Sequence, residues 1–260
     1  MAMQTGPCDA IERAGRSAQA EYERRSAEWR NSRRQAAVRW GPAALLVAAL
    51  GGWYLTATTE FPLLGLIFTA LVLGAVVDVL FRPPHVLREL RQAAAGERAT
   101  GRLLAKAQRD GWAVLHDRRT RRGRVDVEHL LVGPAGAFLL DSRNWASVKE
   151  PMRVQAGRFW IGRDDQSDLL AGLRSAAEAA TRDIGDVLEP GRLPGPLGVD
   201  PMVVVHGARV AGSPRVLGGV AVVEASQLLR YLARAEQVWG PDQVRQVAAA
   251  AEQVLPVKEP

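Results

Sequence analysis

Cysteine and lysine are nearly absent from this chain of 260 residues. The single cysteine, Cys8, excludes an internal disulfide framework and any metal site built from several thiolates. The only lysines are Lys106, Lys149 and Lys258, so arginine carries most of the basic charge behind the net value of +6. A basic excess favours partners that bear phosphate, whether nucleic acids or anionic lipids, and does not choose between them.

Charge is also missing from two long segments. Residues 40–57 contain no charged side chain, and residues 61–80 contain only Asp78. As helices rising about 1.5 Å per residue, each reaches roughly the 30 Å thickness of a bilayer core. We predict two membrane spans, and a buried helical hairpin of a soluble core is the competing interpretation. Because the charged residues 1–39 precede the first segment, we do not expect a cleaved signal peptide.

Small residues and arginines indicate how the two spans are arranged. Ala44, Ala48 and Gly52 are spaced by four, as are Ala70 and Gly74, which predicts close helix packing in lipid. The connecting turn has no basic residue, whereas both outer flanks are rich in arginine. Since such residues remain cytoplasmic, we predict a two-span protein of the cell membrane with both termini cytoplasmic. The flanking arginines are Arg24, Arg25, Arg30, Arg33, Arg34 and Arg39, then Arg82, Arg88 and Arg91.

The pattern after Pro83-Pro84 changes to that of a soluble α/β domain. Strands are predicted at 112–116, 125–132, 137–141, 202–206 and 219–223, with a weaker hairpin over 152–162, and helices at 87–110, 166–188, 225–236 and 241–254. We therefore predict an α/β fold in which helices flank a mixed sheet. The predicted domains are a cytoplasmic basic helical segment (1–39), a transmembrane hairpin (40–82) and a cytoplasmic domain (86–260).

Two neighbouring predicted strands carry charged side chains that should lie close together. Side chains alternate along a strand, so Asp126 and Glu128 should share one face. By the same rule Asp141 and Arg143 share a face of the next strand, and a Gly-Pro-Ala-Gly turn joins the two strands as a hairpin. Carboxylates beside a cation suit phosphate chemistry, because oxygen ligands hold Mg²⁺ or Mn²⁺. Solvated strand ends rich in charge are the alternative.

Several motifs in this region resemble those of one family. They are Gly96-Glu97 opening a helix, Val-Glu-His-Leu-Leu-Val-Gly-Pro at 127–134, Gly136, and Phe-Leu-Leu-Asp-Ser-Arg-Asn-Trp at 138–145. Their order and spacing resemble the nuclease-related domain, NERD, of the PD-(D/E)xK restriction-endonuclease-like superfamily. The resemblance covers residues 93–162 well and 202–206 more loosely. It implies a restriction-endonuclease-like mixed sheet.

The resemblance also implies roles for named residues. Glu97 matches the family's helical acid, and Asp141 matches its second acid in the sheet. Glu128 stands where the family usually has Asp, and Arg143 stands where it usually has Lys. The implied reaction is hydrolysis of phosphodiester bonds with Mg²⁺ or Mn²⁺ held by Glu128 and Asp141, and Asp126 is a further candidate ligand. Arg143 retains a positive charge for phosphate but stays protonated, so any proton transfer by a lysine is lost.

Three functions agree with these features. The first is a membrane-bound, metal-dependent nuclease that acts on DNA or RNA at the cytoplasmic face. The second is an inactive module of nuclease fold that binds nucleic acid or a protein partner at the membrane. In the third, the N-terminal basic helix and the spans, whose partner is the lipid bilayer, are the working parts, and the domain serves assembly.

Other polar residues have more ordinary interpretations. His116, His129 and His206 fit packed strand positions better than a role in catalysis. The basic run over 118–124 precedes the acidic strand and either follows a nucleic-acid backbone or forms a solvated hairpin tip.

Overall fold

The computed structural model describes residues 15–59, 61–121, 125–146, 152–155 and 158–258. They belong to two compact units. One unit is Glu21–Leu90, and the other comprises the described residues up to Ala20 and those from Arg91 onward. The domain boundaries predicted from the sequence remain predictions.

Both predicted spans lie in helices. Helix α1 is Arg16–Thr58 and contains Pro42, and helix α2 is Pro62–Phe81. A proline at the start of α2 is favourable because the first turn needs no N–H donor. Both helices are long and apolar enough to cross a membrane, and only 11 % and 6 % of their apolar stretches is buried. The core helix of a soluble protein would be mostly buried, so this alternative is not supported.

Small residues bring α1 and α2 into contact. Ala48 and Gly52 are buried, and a Cβ added to Gly52 would lie 2.1 Å from Thr69 Oγ1. Thr69 Oγ1 also donates to the Ala48 carbonyl at 3.2 Å. The predicted small-residue packing is therefore confirmed for α1. It is wrong for Gly74 of α2, where an added Cβ meets no described atom within 4 Å, because Gly65 and Thr69 make the contact instead.

The secondary structure beyond Pro84 follows the predicted α/β pattern. The helices are α3 His85–Ala107, α4 Ser167–Gly185, α5 Leu228–Arg234 and α6 Pro241–Val254. The strands are β1 Ala113–Arg119, β2 Asp126–Gly133, β3 Gly136–Asn144, β4 Met152–Gln155, β5 Arg158–Ile161, β6 Asp164–Asp165, β7 Val199–His206, β8 Arg215–Leu217 and β9 Val220–Glu224. A single 3₁₀ turn follows α3 and ends at Gly111, whose φ of +86° suits glycine, as the predicted stop there requires.

Six strands form one mixed sheet in the order β1-β2-β3-β7-β9-β8, and β4-β5-β6 form a second, smaller sheet. Strands β1, β2 and β3 pair antiparallel, whereas β3, β7 and β9 run parallel. Helices cover both faces of the six-stranded sheet. Leu139 packs in the core shared with α4 and α6, and Leu140 in the core shared with α3 and α5. The predicted fold class is confirmed, and the arrangement is consistent with a restriction-endonuclease-like fold.

Strands β2 and β3 separate near the end of β3. Their pairing runs from the turn as far as His129↔Leu140 and stops before Glu128 and Asp141. Strand β3 nevertheless continues beside β7 to its last residue. The separation leaves room between the two strands for their polar side chains.

Strand β2 also departs from regular alternation at this point. Val127 and Leu130 are three residues apart, yet both pack in the same core, whereas a regular strand turns residues two or four apart to one face. Opposite this irregularity, Asp117 of β1 has a φ of +48°, which is uncommon for a residue other than glycine. The direction of the side chains before Glu128 therefore does not follow the alternation rule.

Candidate active site

Asp141 and Arg143 lie at the end of β3, where it has separated from β2. Arg143 Nη2 donates to Asp141 Oδ2 at 2.7 Å. Asp141 is 8 % exposed, and its other oxygen, Oδ1, is buried without a hydrogen-bond partner in the described part of the chain. Buried polar atoms are normally satisfied, so Oδ1 is an acceptor available to a cation or another donor.

Glu128 reaches across the separation from β2 to β3. The Ser142 backbone N–H donates to Glu128 Oε2 at 2.7 Å. Burial raises the pKa of Glu128 well above its ordinary range, and the negative charges of Asp141 and Glu97 raise it further. The Ser142 N–H and the Arg143 guanidinium oppose this rise. Glu128 is therefore a half-buried acid held among other charges.

Glu97 approaches the same place from α3. The glycine before it allows the approach, since a Cβ on Gly96 would lie 3.3 Å from Asn144 Cβ at the end of β3. Glu97 is only 7 % exposed. Its pKa rises to about 7, mainly because of burial and then because of the charges of Asp117 and Asp141. A carboxyl group with this pKa exchanges its proton near neutral pH.

The structure thus brings together the four residues that the resemblance implicates, Glu97, Glu128, Asp141 and Arg143. We call this set the acidic cluster. Repulsion from the other carboxylates adds to the rise in the pKa of Glu97 and of Glu128. Among the described residues, no group of three or more His, Cys, Asp or Glu side chains is arranged to hold a metal ion. The donors still fit a hard divalent cation chemically, because they are oxygens and include the unsatisfied Asp141 Oδ1.

Arg143 provides a permanent positive charge in the cluster. Its side chain is 39 % exposed, while its Nε is buried without a hydrogen-bond partner in the described part of the chain. Burial lowers the pKa of Arg143, but the carboxylate of Asp141 outweighs this effect and the net direction is upward. Arg143 therefore remains positively charged at every working pH, and it does not exchange protons.

Asp126, the further candidate ligand, is engaged elsewhere. Its Oδ1 accepts from Arg119 Nε at 2.9 Å, and its Oδ2 accepts from Lys258 Nζ at 2.7 Å. Burial raises the pKa of Asp126, but hydrogen bonds from Lys258 and Arg119 outweigh it and lower the pKa. The irregular alternation at Glu128 explains why the two acids do not act as a same-face pair.

Asp117 and the start of α1 border the acidic cluster, a feature that the sequence did not suggest. Ser17 Oγ donates to Asp117 Oδ1 at 2.7 Å, and Arg16 N donates to Asp117 Oδ2 at 3.1 Å. The backbone at Gly15 is close enough that an added Cβ would lie 3.4 Å from Glu97 Oε2. One side of Glu97 is therefore covered by the beginning of the described chain. No short-range pattern signals a contact between residues about 100 positions apart.

No sequence pattern predicted the contacts of the C-terminal tail, Pro256–Lys258. The Lys258 backbone N–H donates to the Asp117 carbonyl at 2.7 Å, and Arg119 N donates to the Pro256 carbonyl at 3.0 Å. The tail therefore continues the sheet beyond β1. The scarcity of lysine is the only sequence signal that could have drawn attention to Lys258.

His116, His129 and His206 lie in packed strand positions, as predicted. His116 Nδ1 and His129 Nδ1 are 2.8 Å apart in a buried edge-to-face pair. Burial lowers the pKa of His129 well below its ordinary range, so this ring is neutral. His206 Nε2 lies 2.8 Å from Thr100 Oγ1, and Ser142 Oγ donates to the same Thr100 oxygen at 2.8 Å. This network ties α3 to the ends of β3 and β7 beside the acidic cluster.

The basic run before β2 is partly committed to the protein itself. Arg118 Nη1 donates to the Leu255 carbonyl at 3.1 Å, and Arg121 N donates to Asp183 Oδ2 at 2.7 Å. Arg122 and Arg124 lie outside the described residues. The predicted contact of this run with a nucleic-acid backbone remains a prediction.

Comparison with known proteins gives one match. Residues 92–206 match the family model NERD, the nuclease-related domain. This range contains every residue of the acidic cluster and ends at the last residue of β7. Neither the curated proteins nor the solved structures include a match to the chain.

Proposed function

Because the chain carries a nuclease-related domain, we propose that it is a membrane-anchored nuclease that hydrolyses phosphodiester bonds of DNA or RNA with Mg²⁺ or Mn²⁺ at the cytoplasmic face. The observation that carries the proposal is the acidic cluster, in which two buried carboxylates and one half-buried carboxylate meet a partly exposed guanidinium where β2 and β3 separate. Such a group of charges is not needed for stability, because apolar side chains of similar volume would stabilise the folded domain at least as well.

The residues of the acidic cluster would divide the work. Glu128 and Asp141 would hold the ion, with Glu97 supporting it directly or through water. A divalent ion there supplies a Lewis acid for the phosphate and lowers the pKa of bound water. Arg143 would contact the scissile phosphate, where its fixed charge stabilises the charge that develops on the oxygens. Glu97, with a pKa of about 7, is the group in the cluster best able to accept or release a proton.

The membrane anchor rests on separate observations. Helices α1 and α2 are long and apolar enough to span a bilayer, and large apolar side chains such as Leu46, Trp53 and Leu66 are more than 60 % exposed. Arginines on both outer flanks support a cytoplasmic position for the two termini. The nuclease-related domain would then face the cytoplasm.

Two features favour the inactive binding module as a second candidate. Arg143, in place of the family's usual lysine, already occupies one oxygen of Asp141. The start of α1 also lies against Glu97, on one side of the cluster. In this alternative the domain binds nucleic acid or a protein partner at the membrane and leaves phosphodiester bonds intact.

The proposal is tested with the full chain purified in detergent. Single- and double-stranded DNA and RNA are incubated with the protein and Mg²⁺ or Mn²⁺, and Asp141→Asn is compared with wild type. The matched control is Asp242→Asn, which makes the same change at a side chain that is 81 % exposed on α6. We expect cleavage that is lost in Asp141→Asn and kept in Asp242→Asn.

Other outcomes separate the two candidates. Cleavage that appears only in Arg143→Lys would mean that the fold of the site is intact but that the wild-type chain is catalytically inactive. The absence of cleavage in wild type and in Arg143→Lys would reject the nuclease. Binding of Mn²⁺ gives a second readout, since the ion should raise the unfolding temperature of wild type more than that of Asp141→Asn.

A further inference from the structure

The C-terminal tail adds a cation beside the acidic cluster. We propose that Lys258 and Arg119, held together on Asp126, form a phosphate-binding position for the nucleic-acid strand next to the scissile phosphate. We call these three residues the tail cluster. The inference rests on the proposed function and specifies how the substrate backbone is held.

The position of Lys258 is fixed by backbone pairing. Arg118 and Val257 form an antiparallel bridge, and hydrogen bonds flank it on both sides. Arg119 N donates to Pro256 O at 3.0 Å, and Lys258 N donates to Asp117 O at 2.7 Å. Because these bonds involve only main-chain atoms, any side chain at position 258 would start from the same place.

The tail cluster carries a net positive charge. Arg119 and Lys258 each donate to a different oxygen of Asp126, so two cations share one carboxylate. The side chains of Arg119 and Asp126 are 42 % and 48 % exposed, and that of Lys258 is 27 % exposed. The cluster is therefore ordered by its own hydrogen bonds but remains open to a polyanion. Asp126 is a positioning residue here, because without it the two cations would repel each other.

The tail cluster adjoins the acidic cluster along β1 and β2. Asp126 lies two residues before Glu128 on β2. The Lys258 backbone N–H donates to the carbonyl of Asp117 on β1 at 2.7 Å, and Asp117 holds the start of α1, where a Cβ added to Gly15 would lie 3.4 Å from Glu97 Oε2. Arg143, by contrast, is hydrogen-bonded to Asp141 at the end of β3. Cations therefore adjoin the carboxylates at two separate points.

A nucleic-acid substrate requires this kind of arrangement. Its phosphates recur along the strand, and cations that bind neighbouring phosphates set the position of the one that reacts. Carboxylates alone would repel the strand. The tail cluster would attract it and fix its register with respect to Arg143.

The test measures binding without catalysis. A fluorescent single-stranded DNA oligonucleotide is titrated with the full chain in detergent and EDTA, over a series of salt concentrations. The variants are Lys258→Gln and Lys258→Arg, and the control is Lys106→Gln, which removes a lysine on the last turn of α3. We expect Lys258→Gln to weaken binding about fivefold and to reduce the slope of log Kd against log salt by about one. Lys258→Arg should retain both values, and Lys106→Gln should match wild type.

The outcomes keep this inference distinct from the nuclease proposal. A wild type that binds but does not cleave, with weaker binding by Lys258→Gln alone, supports the tail cluster and rejects the nuclease. Cleavage that depends on Asp141, together with equal binding by Lys258→Gln and Lys106→Gln, rejects only the tail cluster. A wild-type protein that does not bind the oligonucleotide also rejects the tail cluster.

Discussion

Glu97→Gln should make the protein more stable at alkaline pH, although it removes a residue of the acidic cluster. The folded protein raises the pKa of Glu97 from its ordinary value of 4.5 to about 7. The folded state binds this proton more tightly than the unfolded chain does. The stability that the bound proton contributes to the folded state is therefore fully present below about pH 4.5. It is lost as the pH rises to about 7, where the folded protein must also ionise the group.

The size of the effect follows from the change in pKa. At about 1.36 kcal/mol for each pKa unit, ionisation of Glu97 costs the folded state about 3 kcal/mol above neutral pH. The residue is 7 % exposed, so solvent screens this cost only weakly. Glutamine has nearly the same shape and no charge. It should therefore avoid most of the cost at pH 8 and change little at pH 4.

Thermal unfolding of the full chain in detergent at pH 4 and pH 8 measures this effect. At pH 8 wild type should unfold at a lower temperature than Glu97→Gln. The difference should be roughly 2–4 °C for each kcal/mol of lost stability. The control is Glu178→Gln on α4, where the side chain is 68 % exposed. If Glu97→Gln were no more stable than wild type at pH 8, or if Glu178→Gln behaved in the same way, the argument from burial would fail.

Two further pairs of substitutions probe other parts of the chain. Gly52→Leu should disrupt the contact of α1 with α2, because even a Cβ there would lie 2.1 Å from Thr69 Oγ1. The control Gly74→Leu should leave the contact intact, because a Cβ there meets no described atom within 4 Å. Cysteine cross-linking between the two helices would distinguish the two variants. Asp117→Ala should destabilise the attachment of α1 by about 1 kcal/mol, because it removes the acceptor of Ser17. Asp117→Asn keeps an acceptor and tolerates a φ of +48°, so limited proteolysis near residue 20 should cleave it more slowly than Asp117→Ala.

The sequence predicted the elements whose signals are local. Apolar runs predicted strands such as β2, β3 and β7, and Gly111 correctly predicted the end of the helical segment that extends α3 by a 3₁₀ turn. The hairpin of β2 and β3 then placed Asp141 and Arg143 near Glu128. Glu97 came from the family resemblance, because no strand or helix pattern relates it to that hairpin. The short strand β8, by contrast, has too few residues to show a periodicity.

The remaining features depend on contacts that are distant in the sequence or on irregular backbone. The alternation rule put Asp126 beside Glu128, but β2 changes its alternation between Val127 and Leu130. A period of two cannot anticipate such a change. Lys258 reaches Asp126 across 132 positions, and only the folded sheet edge brings the two together.

The free-energy cost of burying the acidic cluster helps to decide between the nuclease and the binding module. A module that only binds nucleic acid gains from surface cations and loses from carboxylates near its phosphate contacts, because like charges repel. The cluster nevertheless buries Glu97 and Asp141 at 7 % and 8 % exposure, and leaves Asp141 Oδ1 without a partner among the described atoms. Packing alone would be served better by apolar residues of similar volume. A bound divalent cation removes both difficulties, since it neutralises the carboxylates and attracts the phosphate. The buried acids therefore support the proposed metal-dependent nuclease rather than the proposed binding module.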